Sequence, residues 1–284
     1  MVKIAAMGDN VVDCYVSRSQ MYPGGNCLNV AVHVRRFGGH SAYIGAIGKD
    51  PAGDLIHAAL SAEQVDISHL RRLDGPTAYC LIGHRGNDRV FLSFDLGVSM
   101  FAPSSGDQMF LRDFSAVHVG QSSGLDAYVQ KAAAMTRLSY DFSTRRDHEH
   151  FGKIGPHCFL ASVSAGDLSQ AQAAAITTDL LAVGAKWVLL TRGTQGATLA
   201  GSEGRFSVPA MPTDAVDTLG AGDTFIARTL FGLLKEEHPQ DVLAQAAIAA
   251  AATCGHYGAF GYAAKLNIGC RDVGAHWGPE STKR

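Results

Sequence analysis

The sequence holds no apolar run near the ~20 residues that a membrane helix needs. Stretches such as Ala246–Ala252 fall far short. It opens without a basic segment leading into an apolar run and a cleavage site, so export is not expected. Neither sign of charge dominates: 24 Lys and Arg face 26 Asp and Glu, which argues against a broadly basic nucleic-acid surface. CxxC pairs are missing. Cys14, Cys27, Cys80, Cys158, Cys254 and Cys270 are scattered through a chain that needs no staples, so reduced thiols and a cytosolic setting are expected. There is no Walker A loop either, because Gly48-Lys49-Asp50 lacks the hydroxyl residue and the upstream glycine. Gly8-Asp9-Asn10 does not supply a G-x-G-x-x-G fingerprint after the first apolar run. Internal repeats are absent, and His148, His150, His157 and Cys158 have no structural-zinc spacing. The charge-dense 144–150 stretch reads as a solvated loop.

What remains is a foldable chain. With 284 residues, 46% hydrophobic and 18% charged, it suits one large domain, or a core with a small appendage. Val2–Met7 reads as a buried strand, followed by a helix over 26–37 that stops at Gly38-Gly39. A strand over 42–47, a helix over 51–62 opened by Pro51, and another strand after Asp66 follow. Two runs, 77–83 and 89–94, flank Arg85-Gly86-Asn87-Asp88 and predict a β-hairpin. Beyond Ala116 the rhythm is strand and helix in alternation. Strands are expected over 117–119, 139–142, 159–163 and 187–191, with helices over 125–138, 167–183, 221–234 and 241–254. That alternation implies an α/β fold with a parallel sheet covered on both faces. The expected domain is residues 1–265, with a lid from about 14–22 and 77–98. Residues 266–284 read as a loose tail.

The richest motif is Asp217-Thr218-Leu219-Gly220-Ala221-Gly222-Asp223. Small residues at the start of an apolar helix let backbone N–H groups converge on an anion, which the helix dipole also favours. Asp223 in the first turn sets a carboxylate beside that nest, a pairing suited to phosphoryl transfer onto a hydroxyl. An ordinary helix start with a dipole-matching acid is the plainer reading. Gly24-Gly25-Asn26-Cys27-Leu28-Asn29 offers close backbone approach and two amides three residues apart, which suits a polyol. It could equally be a glycine turn capped by Asn26. Asp9, Asn10 and Asp13 follow the first strand, where open α/β sheets bind ligands, or form a solvated turn. Thr191-Arg192-Gly193-Thr194-Gln195-Gly196 could wrap nucleotide phosphates or turn a hairpin.

Taken together, DTLGAGDTF (217–225) and GGNCLNVA (24–31) resemble the paired signatures of the ribokinase-like, PfkB-type carbohydrate kinases, over roughly residues 1–260. The resemblance implies a Rossmann-type three-layer core with a small β-sheet lid. It implies transfer of the γ-phosphoryl group of ATP to a sugar hydroxyl, with Mg²⁺ and often a monovalent cation such as K⁺. By that resemblance Asp223 is the base and the amides of Gly220, Ala221 and Gly222 form the anion hole. Asp9, Asn10, Asp13, Gly24, Gly25, Asn29 and Arg89 fall to the sugar. Thr191, Gly193, Gly196 and Asp217 fall to the nucleotide. Within the family, MGDNVVDCY and GNDRVF (86–91) are most similar to the fructoselysine 6-kinase subgroup, whose substrates are Amadori compounds. Their secondary amine would suit a carboxylate such as Asp9 or Asp95. A nucleoside kinase, with Tyr15, Tyr22 or Phe91 as base platform, and a non-catalytic sugar sensor are the alternatives. The family's Asn-x-x-Glu motif is altered to Ser164-Ala165-Gly166-Asp167, which leaves Asp167 to assist Mg²⁺ indirectly or to cap a helix. A homodimer, no membrane and no nucleic-acid partner complete the expectation.

Overall fold

The computed structural model describes residues 1–85 and 88–267, with 84, 85 and 88–91 described by their backbone alone. The chain runs through β1 (Lys3–Met7), β2 (Val11–Tyr15), β3 (Gln20–Gly24), α1 (Asn26–Arg36), β4 (His40–Gly48), α2 (Pro51–Ala62) and β5 (Leu70–Leu73). A hairpin of β6 (Tyr79–Arg85) and β7 (Asp88–Asp95) precedes α3 (Ser105–Phe110) and β8 (Ala116–Gly120). Next come α4 (Val129–Met135), β9 (Arg137–Asp141), α5 (His148–Ile154), β10 (Cys158–Ser164), α6 (Gln170–Ala182) and β11 (Trp187–Thr191). The last elements are β12 (Ala197–Gly201), β13 (Gly204–Val208), α7 (Ala221–Leu234), α8 (Pro239–Thr253) and β14 (Ala264–Lys265).

Nine strands form the large sheet, in the order β13-β12-β11-β10-β9-β8-β1-β4-β5. From β11 to β5 every pairing is parallel; β12 and β13 are added antiparallel. Alternation along β1 shows two covered faces. Ala5 and Met7 pack with Val129, Ile154, Ile176 and Leu180 from α4, α5 and α6. Ile4 packs with Val30 and Val34 of α1 and Leu230 of α7. Successive strand residues point to opposite faces, so the sheet is the middle of three layers. A second sheet, β14-β3-β2-β6-β7, joins this core through Val12 and Met21, which pack with Leu28 of α1 and Ile56 of α2. Among the described residues no helix is long and apolar enough to cross a membrane.

The predicted bounds of α2, α7 and β11 coincide with the observed ones. Three segments differ. Only 129–135 of the helix expected over 125–138 is α-helical, and Leu138 already belongs to β9. Leu138 pairs with Val117 and Cys158 in a sheet buried on both faces, where an apolar run reads alike as helix or strand. Of the stretch expected as a solvated loop over 144–150, residues 144–147 are loop, while 148–150 open α5. The Asp147 carboxylate accepts the His150 N–H at 2.8 Å, and Phe151 and Ile154 enter the core. The helix expected from Asp167 starts at Gln170, because Ser169 and Gln172 close a capping box. The expected tail lies, from residue 268 on, outside the described residues.

Candidate active site

Strand order reverses direction of winding between β1 and β8, and the carboxyl ends of these two strands open a crevice of the kind where open α/β sheets bind ligands. Asp9 leaves β1 and Ser123 follows β8; the Ser123 hydroxyl donates to Asp9 Oδ1 at 2.8 Å across the gap. Helix α1 begins here with Gly25 at its N-cap and therefore has no side chain of its own to cap it. Asp9 supplies the cap: its Oδ2 accepts the Asn26 N–H at 3.0 Å, and its Oδ1 the Cys27 N–H at 3.5 Å. The sequence assigns Asp9 to the sugar. Its oxygens are instead spent on seating α1, where a carboxylate also matches the helix dipole.

Helix α7 points its first turn at the same crevice. Asn26 Nδ2 donates to Asp223 Oδ1 at 2.7 Å, and Asn29 Nδ2 donates to Asp223 Oδ2 at 2.7 Å. The same Asn26 Nδ2 also donates to Asp141 Oδ2, at the end of β9, at 3.0 Å. Burial pushes the Asp223 carboxyl up to about 7; the Asn29 hydrogen bond opposes this and the Asp141 charge adds to it. Burial likewise pushes Asp141 up to about 6. A raised carboxyl pKa puts Asp223 near neutrality, where a proton acceptor works best.

The same shift makes a stability prediction. A carboxyl whose pKa rises on folding binds its proton more tightly in the native state than in the unfolded chain. Its contribution therefore falls as pH climbs from about 4, the ordinary carboxyl value, to about 7. Asp223→Asn removes that loss. The melting temperature of the ligand-free variant, minus that of the parent, is expected to grow between about pH 4.5 and about pH 8. A difference that stays flat over this range contradicts the raised pKa.

Beside Asp223 lies a second group of polar atoms. A Cβ on Gly24 would stand 2.2 Å from Asp13 Oδ2 and 3.9 Å from Asn29 Oδ1, so only glycine lets Asp13 approach the α1 entry. Asp13 is buried, and Asn29 Oδ1 has no hydrogen-bond partner although it is buried too. Asn10 donates to Ala46 O at 2.8 Å and to the Tyr43 hydroxyl at 3.0 Å, while its Oδ1 is also unmatched. Buried acceptors without donors are costly, and a polyol supplies donors. Arg89 lies on β7 opposite His84, and its side chain is outside the described residues.

On the other side of Asp223 is a cleft of about 590 Å³, a size that takes small-molecule ligands. Thr191, Gly193 and Gly196 form one wall, and Ala221 and Gly222 of the α7 start form another. Gly220 caps α7 at φ +79° and presses on Ala259, 2.4 Å from where its Cβ would sit. The first-turn amides of an α-helix have no intrahelical acceptor; here the Ala221 N–H donates to Thr218 O at 3.4 Å, and Ala221 and Gly222 border the cleft. Asp217 is not part of the lining. Its Oδ2 accepts from the Tyr15 hydroxyl and from the Gly258 N–H, and its Oδ1 accepts the Leu219 N–H at 3.1 Å. It ties the motif loop to the second sheet. Asp167 has both oxygens on Arg146, at 2.6 and 2.9 Å, and that ion pair holds its carboxyl below the usual range. Among the described residues no three His, Cys, Asp or Glu gather as a metal site. The donor set fits a metal carried on phosphate oxygens and water, as Mg²⁺ prefers, rather than a protein cage.

The pattern of the pfkB family carbohydrate kinases matches residues 2–263. The chain belongs to that family. It is 36% identical to fructosamine kinase FrlD of Bacillus subtilis (strain 168) over 266 residues, 92% of this chain and 94% of that one. It is 32% identical to fructoselysine 6-kinase of Escherichia coli (strain K12), over 92% of this chain and 100% of that one. The fold is that of an Arabidopsis thaliana ribokinase solved with ribose and ATP, at a TM-score of 0.80 and 20% identity, covering 92% and 95% of the two chains. It is equally that of an Escherichia coli chain described as a ribokinase II with ATP and Mg²⁺, at a TM-score of 0.79 and 21% identity, with the same coverage. The expected three-layer core with a small additional sheet is therefore found.

Several residues of this pfkB site have no sequence signal. The cleft is also lined by Pro209, Met211, Pro212, Ala250 and Ala251, which come from the loop before α7 and from α8. Nothing in Pro209–Pro212 distinguishes it from any loop. His118, behind Asn26, reads as an ordinary core histidine until β8 is placed beside α1.

Proposed function

We propose that this pfkB kinase transfers the γ-phosphoryl group of ATP to a hydroxyl of an Amadori-type fructosamine. One observation carries the reading: Asp223, its two oxygens held by Asn26 and Asn29, stands in the first turn of α7, where Ala221 and Gly222 line a nucleotide-sized cleft. Likeness to a fructosamine kinase and to a fructoselysine 6-kinase supports the substrate class. ATP lies against Thr191, Gly193 and Gly196, with its phosphates at the amides of Ala221 and Gly222. The sugar lies at Gly24–Gly25, within reach of Asp13, Asn10 and Asn29. Asp223 accepts the hydroxyl proton as that oxygen bonds to the γ-phosphorus. The β–γ bridging bond breaks, ADP leaves, and the nest amides stabilise the charge that develops on the phosphoryl oxygens. Mg²⁺ would supply charge neutralisation at the phosphates, and Asp167, paired with Arg146, would take part only indirectly. A K⁺ requirement rests on family likeness alone.

The second sheet acts as the lid that excludes water from the transfer. Its outer strand exposes Phe94, 69% accessible, and Leu92, which suits a homodimer through the lid. Buried thiols at Cys27, Cys158 and Cys254 suit a reducing cytoplasm. A nucleoside platform fits less well. Tyr15 is buried, with Tyr22 and Tyr257 against it edge to face, so it offers no open ring for a base. Asp95 accepts the Gly97 N–H of its own loop at 2.8 Å.

The test is coupled ADP release with Mg·ATP against fructoselysine, other fructosamines, fructose, ribose and adenosine. Turnover is expected on fructosamines at a kcat/KM at least about tenfold above fructose, the discrimination that a buried polar contact supports. Preference for adenosine contradicts the reading. Tight sugar binding with ATP left intact shows a sensor instead.

A further inference from the structure

The amide of Asn26 has all its hydrogen-bonding directions in use within the protein. Its Nδ2 donates to Asp223 Oδ1 and to Asp141 Oδ2, one proton to each carboxylate. Its Oδ1 faces His118 Nε2 at 2.9 Å. The reverse amide orientation would set Oδ1 against two carboxylates, so the network leaves one assignment. Oδ1 accepts, and His118 carries its proton on Nε2. Its Nδ1 is then bare and accepts from the Ser139 hydroxyl at 3.0 Å. His118 is completely buried, and burial holds its pKa down at about 3, so the ring is neutral and this tautomer persists at working pH. Gly120 makes the contact possible: a Cβ there would lie 2.3 Å from Asn26 Oδ1.

We infer that Asn26 is a positioning residue, a clamp fixed from behind by His118 that orients the Asp223 carboxylate and sets the proton affinity of the Asp223–Asp141 pair. The inference rests on Asp223 being the base. Asn29 alone leaves Asp223 free to swing about one hydrogen bond; Asn26 supplies the second, on the other oxygen. The shared amide donates to both acids and so opposes the rise in proton affinity that burial imposes on each. Asp223 is faced by Asn26 and Asn29 from α1 and by Asp141 from β9. Asp9, from the loop after β1, adds a weaker repulsion. His118 of β8 and the buried thiol of Cys27 lie behind Asn26, and neutral His33 lies beyond Thr224.

The experiment compares pH profiles of kcat and kcat/KM for Asn26→Leu, His118→Gln, His118→Leu and Asp223→Asn, on the fructosamine that gives turnover. Asn26→Leu is expected to move the acid limb upward by roughly one pH unit, the weight of one charge-assisted hydrogen bond. It should lower kcat about 10–100-fold through lost orientation while the sugar KM changes little. His118→Gln keeps an N–H where Nε2 stood and should hold the parent limb; His118→Leu should shift it toward that of Asn26→Leu. This pair decides the matter if Asn26→Leu does not fold. An unmoved limb in Asn26→Leu, or a rise in sugar KM with kcat intact, overturns the clamp. So do His118→Gln and His118→Leu profiles that coincide. An Asp223→Asn enzyme that keeps its activity overturns the base reading instead, and the clamp with it.

Discussion

Asp223→Asn is expected to lower kcat by at least about two orders of magnitude, with the fold and both substrate KM values close to those of the parent. A general base is worth typically ~10²–10⁴-fold, and the asparagine amide cannot take the proton. The geometry explains why binding should survive. Asn29 Nδ2 and Asn26 Nδ2 each hold one carboxylate oxygen, and the substitution keeps one oxygen and the shape of the side chain. The cleft walls at Thr191 and Gly193 and the acceptors at Asn10 and Asp13 are elsewhere. Residual turnover should come from the nest amides, which need no side chain at position 223. Kinetics of ADP release beside a melting curve check the claim. A loss below tenfold removes Asp223 from the role of base.

That Asp223 could be placed beside the small residues at the start of α7 follows from their locality. Gly220, Ala221 and Gly222 act within one helical turn, so residue type and spacing along the chain state the chemistry. The same holds for Gly24 and Gly25 before α1. What could not be read is whatever depends on the strand order. Asp9 looked like a ligand residue because it follows a strand. Only the adjacency of β1 and α1 shows it capping the helix that Gly25 leaves uncapped. Asp217 sits inside the strongest motif and yet serves the second sheet, through Tyr15 more than 200 positions away by the chain. Asn26 could be placed beside Asn29 on one helix face, but its service to Asp223, Asp141 and His118 needed three further elements to meet it. The misplaced α4 boundary has the same origin. Burial on both sides of a parallel sheet erases the period that separates helix from strand.

Gly25 is where local geometry and the assembled site meet, and Gly25→Ala is the second change with a large expected effect. Its backbone sits at φ +109°, ψ 138°, a region open essentially to glycine, at a cost of about 1–3 kcal/mol for any other residue. The added Cβ would also stand 2.6 Å from Asn10 Cα and 3.1 Å from Asp9 O, and overpacking of backbone costs a further ~1–3 kcal/mol. Both atoms belong to the segment that caps α1, so relief of the clash moves Asp9 away from the Asn26 N–H. The Asn26 and Asn29 amides then leave Asp223, and an ångström of misplacement is worth ~10²-fold in rate. The expected outcome is a melting temperature lower by on the order of 10 °C, with activity reduced at least about 100-fold. Gly38→Ala is the matched control. It has φ +85° just past the end of α1, with nothing within 4 Å of the new Cβ, so it carries the backbone cost alone. Equal destabilisation by the two substitutions would mean that backbone strain alone sets the cost and that Gly25 is not needed for close approach. A Gly25→Ala enzyme that melts early but turns over normally would show that the Asp9 cap is not what holds Asn26 on Asp223.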